Sequence, residues 1–253
     1  MQDPFNRPIR TQPGRVWLVG AGPGAADLIT VRGAAILREA DVVLHDALVT
    51  PDILALCSQA HLISVGKRSG QRSTAQTLIN QQLVDCAFRY ERVVRLKGGD
   101  PMLFGRADEE LSALEAASIE YEIIPGITTA FAAAAAIRQP LTKRGVARNV
   151  AFFTSTTGKG ENDEVDLPGC DTLVQYMGGQ EAIETARRLL AHGKSPQTPV
   201  IAIENVSRTN QRIMRMTLID MANGIRAGGG PVLVMIGEAL RQRAVSGNGS
   251  ERS

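Results

Sequence analysis

Cysteine, histidine and aromatic side chains are all scarce in this 253-residue chain, which carries 3 Cys, 3 His and only 4% Phe, Trp and Tyr. Cys57, Cys86 and Cys170 are far apart and form no C-x-x-C pair. That argues against a disulfide framework and suits a reducing, cytoplasmic setting. His45, His61 and His192 are equally scattered, so no metal-ligand spacing exists and no metal is expected. So few rings argue against a stacking platform for single-stranded nucleic acid. A formal net charge of +2 is too small to mark a polyanion binder. No apolar run approaches the roughly 18 residues that a membrane span needs. Residues 1–14 are polar, contain Pro4, Pro8 and Pro13, and lack the apolar region of a signal peptide. Neither nucleic acid nor a membrane is therefore an expected partner.

What is present is a globular composition, 43% hydrophobic and 21% charged, enough to bury a core. The first half alternates short β-branched runs (16–19, 42–45, 62–65, 92–96, 121–124) with helical stretches near 28–39, 73–88, 108–117 and 130–137. Such alternation predicts a parallel sheet covered on both faces. Ser73-Thr74-Ala75-Gln76 reads as a capping box for one of these helices. The segment from Gln139 to Gly145 breaks the pattern. After it, strands at 150–153, 172–176, 199–203, 211–216 and 231–236 mix with helices near 180–191 and 217–225, which predicts a second, mixed sheet. The expected organisation is a flexible tail over 1–14, an α/β domain over 15–146, a second over 147–240 and a flexible tail over 241–253.

The most informative run is Arg95-Leu96-Lys97-Gly98-Gly99-Asp100-Pro101-Met102-Leu103-Phe104-Gly105-Arg106. It begins as the end of a strand and breaks into two glycines, a carboxylate and a proline. In an open α/β sheet, ligands sit beyond the carboxyl ends of strands. Gly98 and Gly99 allow close backbone approach there, and Pro101 stops the strand. A second strand end, Gly20-Ala21-Gly22-Pro23-Gly24-Ala25, matches G-x-G-x-x-A. It reads either as a dinucleotide fingerprint or as a plain tight turn; Pro23 argues against the former, because a pyrophosphate needs free N–H groups at a helix start. Lys67, Arg68, Arg72, Arg106, Arg144 and Arg148 fall in predicted loops. They read as solvated charges or, together, as a clamp for a small polycarboxylate.

These stretches occur with Ala40-Asp41-Val42-Val43-Leu44-His45-Asp46, Val65-Gly66-Lys67-Arg68, Glu109-Glu110, Ile124-Pro125-Gly126-Ile127-Thr128, Pro140-Leu141-Thr142, Tyr176-Met177-Gly178 and Ile203-Glu204-Asn205. In this order and spacing, over roughly residues 15–240, the chain resembles the uroporphyrinogen-III C-methyltransferases of the tetrapyrrole methylase superfamily. The resemblance implies two αβα-type domains with the ligand cleft between them, S-adenosylmethionine as methyl donor, and a homodimer. It implies an acceptor with many carboxylates, uroporphyrinogen III, methylated at C2 and C7 through precorrin-1 to precorrin-2. The product would enter siroheme- or cobalamin-type biosynthesis.

By the same resemblance, Pro23, Gly98, Gly99, Asp100, Leu103, Thr128, Thr129, Met177 and Val206 are expected to bind S-adenosylmethionine. Asp100 suits a ribose hydroxyl or the amino group; Met177 and Leu103 suit apolar contacts. Asp46 is the candidate proton acceptor, Lys67 the candidate donor, and Arg106 the residue to orient a substrate carboxylate or share in proton transfer. The chain departs from the family pattern at Ala25, His45, Ala47, Ala107-Asp108, Lys143, Ser155, Thr156 and Val206. Three other readings are a paralogue acting on a later corrin precursor, a non-catalytic binder, and a dinucleotide-dependent oxidoreductase.

Overall fold

A computed structural model describes residues 4–66, 76–155, 167–179 and 181–242. The chain divides into two compact units, Met1–Ala132 with Ser207–Thr209, and Ala133–Val206 with Asn210–Ser253.

The first unit holds β1 (Arg15–Gly20), α1 (Val31–Glu39), β2 (Val42–His45), α2 (Pro51–Leu54), β3 (His61–Ser64), α3 (Gln76–Ala87), β4 (Arg92–Lys97), α4 (Ala107–Ala116) and β5 (Tyr121–Ile124). Its five strands are all parallel, in the order β3-β2-β4-β1-β5. Side chains alternate between the faces of a strand. Val16, Leu18, Val42, Leu44 and Val93 accordingly pack under α3 and α4 through Ile79, Leu83 and Leu114. Val19, Val43, Val94 and Leu96 pack on the other face with Leu37 of α1 and Ile53 of α2. Thr30 starts α1, its hydroxyl accepting from the Gly33 N–H at 3.0 Å. Asp108, Glu109 and Glu110 fill the first turn of α4, where the helix dipole favours negative charge.

The helix α5 (Thr129–Ile137) crosses the division between the units. The second unit then contains β6 (Val150–Thr154), β7 (Thr172–Tyr176), α6 (Ala182–Ala191), β8 (Pro199–Glu204), β9 (Arg212–Thr217), α7 (Leu218–Ala222) and β10 (Val232–Ile236). Its strand order is β6-β7-β10-β8-β9, with only β6–β7 parallel. This is the mixed sheet that the sequence pattern predicts. Phe153, Leu173, Val200, Ala202 and Val234 pack on one face with α6 and α7. Val174, Ile201, Ile203, Leu233 and Met235 are equally buried on the other. A capping box between Thr217 and Asp220 opens α7. The expected α/β class with two layered sheets holds.

Three expectations need revision or fall outside the description. Residues 4–14 do not behave as a tail. The Arg10 and Gly14 N–H groups donate to the carbonyls of Phe88 and Ala87 at 2.7 Å each, and the Tyr90 hydroxyl donates to the Pro4 carbonyl at 2.9 Å. The end of α3 offers orphan carbonyls, and this irregular segment satisfies two of them. The compact units divide between Ala132 and Ala133, inside α5, whereas the sequence pattern places the domain boundary at 146/147, after the Pro140 break. The Ser73–Ala75 part of the expected capping box, and residues 243–253, lie outside the described residues.

Candidate active site

In the first sheet, β2 and β4 are neighbours whose outgoing connections run in opposite directions, β2 towards β3 and β4 towards β5. The crevice of an open α/β sheet lies at such a switch point, outside the carboxyl ends of the strands. Here those ends are Asp46, after β2, and Lys97-Gly98-Gly99-Asp100, closing and following β4.

The turn after β4 is fixed by its own backbone and by one carboxylate. Gly99 and Gly22 exchange both main-chain hydrogen bonds, Gly22 N–H to Gly99 O at 3.1 Å and Gly99 N–H to Gly22 O at 2.8 Å. Asp100 accepts from the Met102 N–H at 2.8 Å and from the Gly126 N–H at 2.9 Å. The glycines here have two different jobs. A Cβ on Gly126 would lie 2.2 Å from the Gly99 carbonyl oxygen, so packing demands glycine. A Cβ on Gly99 would meet nothing within 4 Å, and one on Gly98 only the Leu48 Cβ at 3.7 Å. Gly99 presents bare backbone to open space and Gly98 is crowded by no backbone atom, as a ligand cradle requires. Gly99 also has φ +68°, a conformation that favours glycine.

The dinucleotide reading fails on this geometry. The main-chain groups of Gly22 are consumed by Gly99, Pro23 is buried, and α1 begins only at Val31, capped by Thr30. Among the described residues only a single 3-10 turn, Ala26–Leu28, directly follows the glycines, too short to present the N-terminus of an α-helix to a pyrophosphate.

Behind Asp46 lies a buried charge cluster. Arg95 donates to Asp46 Oδ1 at 2.5 Å and through Nε to Glu110 Oε1 at 2.8 Å, while Lys97 Nζ donates to Glu110 Oε2 at 2.7 Å. Burial alone would lower the Arg95 pKa, but Asp46 and Glu110 outweigh it and leave it raised. Burial, then the nearby Arg95 charge, lowers that of Lys97. Two cations and two carboxylates balance, as buried charges require. Sequence reasoning missed Arg95, Lys97 and Glu110 as a unit. The signal was there: Arg95 and Lys97 are two apart on a strand expected to be covered on both faces, so both side chains enter one core layer and need partners.

Arg106 precedes α4 with φ +54° and pairs through two hydrogen bonds with Glu109, at 2.6 and 2.7 Å. That pairing holds the Glu109 carboxyl below its ordinary range. Leu103 is half-buried on the same loop. Thr128 is buried and Thr129 begins α5. Thus Asp46, Pro23, Gly98, Gly99, Asp100, Leu103, Arg106, Thr128 and Thr129 all follow carboxyl ends of strands of the first sheet. Lys67 lies outside the described residues.

Met177 and Val206 belong to the second unit, after β7 and β8, whose carboxyl ends share one edge because both strands run antiparallel to β10. Met177 is exposed with φ +56°, and Val206 is buried. Glu204 shapes this edge: its buried carboxylate accepts from Gly228 N–H at 2.8 Å and Gly230 N–H at 2.7 Å. Those bonds, from Gly228 first and then Gly230, hold its pKa down. Of the seven described non-glycine residues with positive φ, Phe104, Arg106, Met177, Asn205 and Ser207 sit on these strand-end loops. Strained backbone gathers at functional sites. Ser155 is held by Gln175 Nε2 at 2.8 Å and by Thr185 Oγ1 at 3.1 Å. The Cys57 and Cys86 thiols are pushed up by burial to about 11 and 12, so neither serves as a nucleophile.

The chain belongs to the tetrapyrrole (corrin/porphyrin) methylases, whose family model matches residues 15–222. It is 44% identical over 232 residues to siroheme synthase 1 of Yersinia enterocolitica, covering 90% of this chain and 49% of that protein. The chain thus spans about half the length of the curated relatives it matches. Among solved structures, the native uroporphyrin III C-methyl transferase of Thermus thermophilus superposes with a TM-score of 0.81 at 36% identity, covering 90% of this chain and 99% of that one. A structure of that transferase complexed with S-adenosyl homocysteine gives a TM-score of 0.79 at 35% identity, covering 90% of this chain and 94% of that one.

Proposed function

We propose that this chain transfers methyl groups from S-adenosylmethionine to carbon atoms of uroporphyrinogen III, at C2 and then C7, giving precorrin-2 by way of precorrin-1. The observation that carries the reading is the turn after β4: bare backbone at Gly99, next to an uncrowded Gly98, faces open space beside a carboxylate fixed by two N–H groups. The likeness to a transferase complexed with S-adenosyl homocysteine supports it.

Bound S-adenosylmethionine supplies a methyl group on a sulfonium, an electrophile without phosphate. Gly98, Gly99, Asp100, Leu103, Pro23, Thr128 and Thr129 on the first unit, and Met177 and Val206 on the second, hold its adenosine and methionine parts. Placing the pyrrole-type carbon in line with the methyl group supplies most of the rate. The carbon–carbon bond forms as the carbon–sulfur bond breaks, and the ring then loses a proton. Asp46 accepts that proton, and Lys67 acts as donor. Arg106 takes a substrate carboxylate in place of Glu109. The active form is a homodimer in the cytoplasm.

An anaerobic assay with uroporphyrinogen III and labelled S-adenosylmethionine, read by mass spectrometry, tests this. The reading expects a gain of two methyl groups. Methyl gain on a later corrin precursor alone assigns the paralogue instead, and cofactor binding with no transfer assigns the non-catalytic binder. Light scattering tests the dimer.

A further inference from the structure

Arg95 lies on a core strand, a costly place for a charge unless it is paired. Its planar guanidinium is held on several sides. Nε donates to Glu110 at 2.8 Å, and one terminal nitrogen contacts the carbonyls of Leu44 and Leu96 at 3.4 and 3.2 Å. A rigid fork so anchored leaves its other terminal nitrogen aimed in one direction, and that nitrogen meets Asp46 Oδ1 at 2.5 Å. Glu110 is fixed in turn by Lys97 Nζ at 2.7 Å on its second oxygen. Of the four charged side chains only Asp46 reaches solvent, 32% exposed against 3% or less for the others. A cluster serving stability alone is commonly matched or bettered by apolar residues of similar volume. This one opens at a single member, at the switch point of the sheet.

We propose that Glu110 and Arg95 are positioning residues for the Asp46 carboxylate: Glu110 aims the guanidinium, and the guanidinium anchors Asp46 Oδ1 at the open end of the sheet. The inference rests on Asp46 acting as proton acceptor in the proposed methyl transfer. It explains why arginine, not lysine, occupies position 95, since a single ammonium lacks the two separate edges that reach Glu110 and Asp46. Misplacing a reacting group by the order of 1 Å can cost roughly a hundredfold in rate.

The test uses Arg95→Lys and Glu110→Gln in the full chain, alone and with Asp46→Asn. Steady-state methyl transfer is measured with S-adenosyl homocysteine affinity by calorimetry. In the wild-type background kcat falls by about ten- to a hundredfold, while KM and the affinity for S-adenosyl homocysteine stay within about twofold. In the Asp46→Asn background Arg95→Lys causes no further loss, as coupled sites require. Additive losses in the double variant, or a fall in affinity that accounts for the whole effect, overturn the proposal. A crystal structure of each single variant gives a readout independent of turnover. The Asp46 carboxylate moves off its wild-type position in either variant; if it stays put in both, the positioning role is wrong even where the enzyme is active. Absence of methyl transfer by the wild type counts against the proposed function, and the crystallographic comparison still decides the positioning.

Discussion

Asp100 joins the ends of two strands that are not neighbours. Its carboxylate, at the end of β4, accepts from the Gly126 N–H beyond β5 at 2.9 Å, although β1 lies between those strands in the sheet. Its other oxygen takes the Met102 N–H at 2.8 Å. One side chain thus sets both the turn and the approach to α5. Asp100→Ala leaves two N–H groups without this acceptor, at a cost of about 1–3 kcal/mol. It is expected to weaken S-adenosyl homocysteine binding by about tenfold or more. Urea unfolding and calorimetry check the two effects; unchanged affinity removes Asp100 from the binding site.

The two kinds of glycine separate in the same assays. Gly126→Ala places a methyl 2.2 Å from the Gly99 carbonyl oxygen and 2.8 Å from the Gly20 Cα, so backbone must move. It is expected to cost about 3 kcal/mol or more in unfolding free energy. Gly99→Ala meets no atom within 4 Å and carries only the strain of φ +68°, about 1–2 kcal/mol. Its larger effect falls on ligand affinity, because the methyl enters the cradle. Equal stability losses from both variants contradict this division.

Arg106 pairs with Glu109 while both side chains are largely exposed, at 57% and 45%. Such a pair adds little to stability, about 0.2–1 kcal/mol. Arg106→Ala is therefore expected to leave thermal unfolding nearly unchanged while raising KM for the tetrapyrrole. Since a charge-assisted hydrogen bond is worth about 1.5–3 kcal/mol, kcat/KM falls by roughly ten- to a hundredfold. A KM equal to that of the wild type argues against the role.

Glu204 gives the fold an acid-sensitive element. Its carboxyl is held below the ordinary 4.5 by the N–H groups of Gly228 and Gly230. The unfolded chain therefore binds this proton at higher pH than the folded one. The stability it contributes is complete above about 4.5 and drains as pH falls through the lower folded value. Glu204→Gln removes that part of the acid dependence and leaves a donor facing the Gly228 and Gly230 N–H groups. Unfolding midpoints taken from neutral pH down to the acid range are expected to differ most near neutrality and to converge on acidification. A constant gap across the range contradicts the assignment.

Local pattern revealed much of this protein because much of it is local. Strands at 42–45, 121–124 and 172–176 appear where β-branched runs predict them. Short signals were less legible: α2 begins with Pro51 at its first turn, a helix start that four residues cannot announce by periodicity. Residues 4–14 read as polar and proline-rich, yet their N–H groups reach carbonyls at the end of α3. Pro23 argued correctly against a pyrophosphate loop, but the decisive fact, the bridge between Gly22 and Gly99, joins residues far apart in the chain.

The sequence by itself determined the order of elements, the parallel first sheet and mixed second sheet, the strand-end loops that carry Asp46, Gly98-Gly99-Asp100 and Met177, and the family. The elements, sheets and loops follow from periodicity and from turn residues, which act over a few positions; the family follows from the resemblance of the ordered motifs. The tertiary structure alone decided that Arg95 and Lys97 share Glu110, that Arg95 holds Asp46, and that Asp100 reaches Gly126. These pairings depend on β4 being inserted between β2 and β1. That strand order is fixed by burial of both sheet faces at once, a property of the whole sheet that no single segment carries.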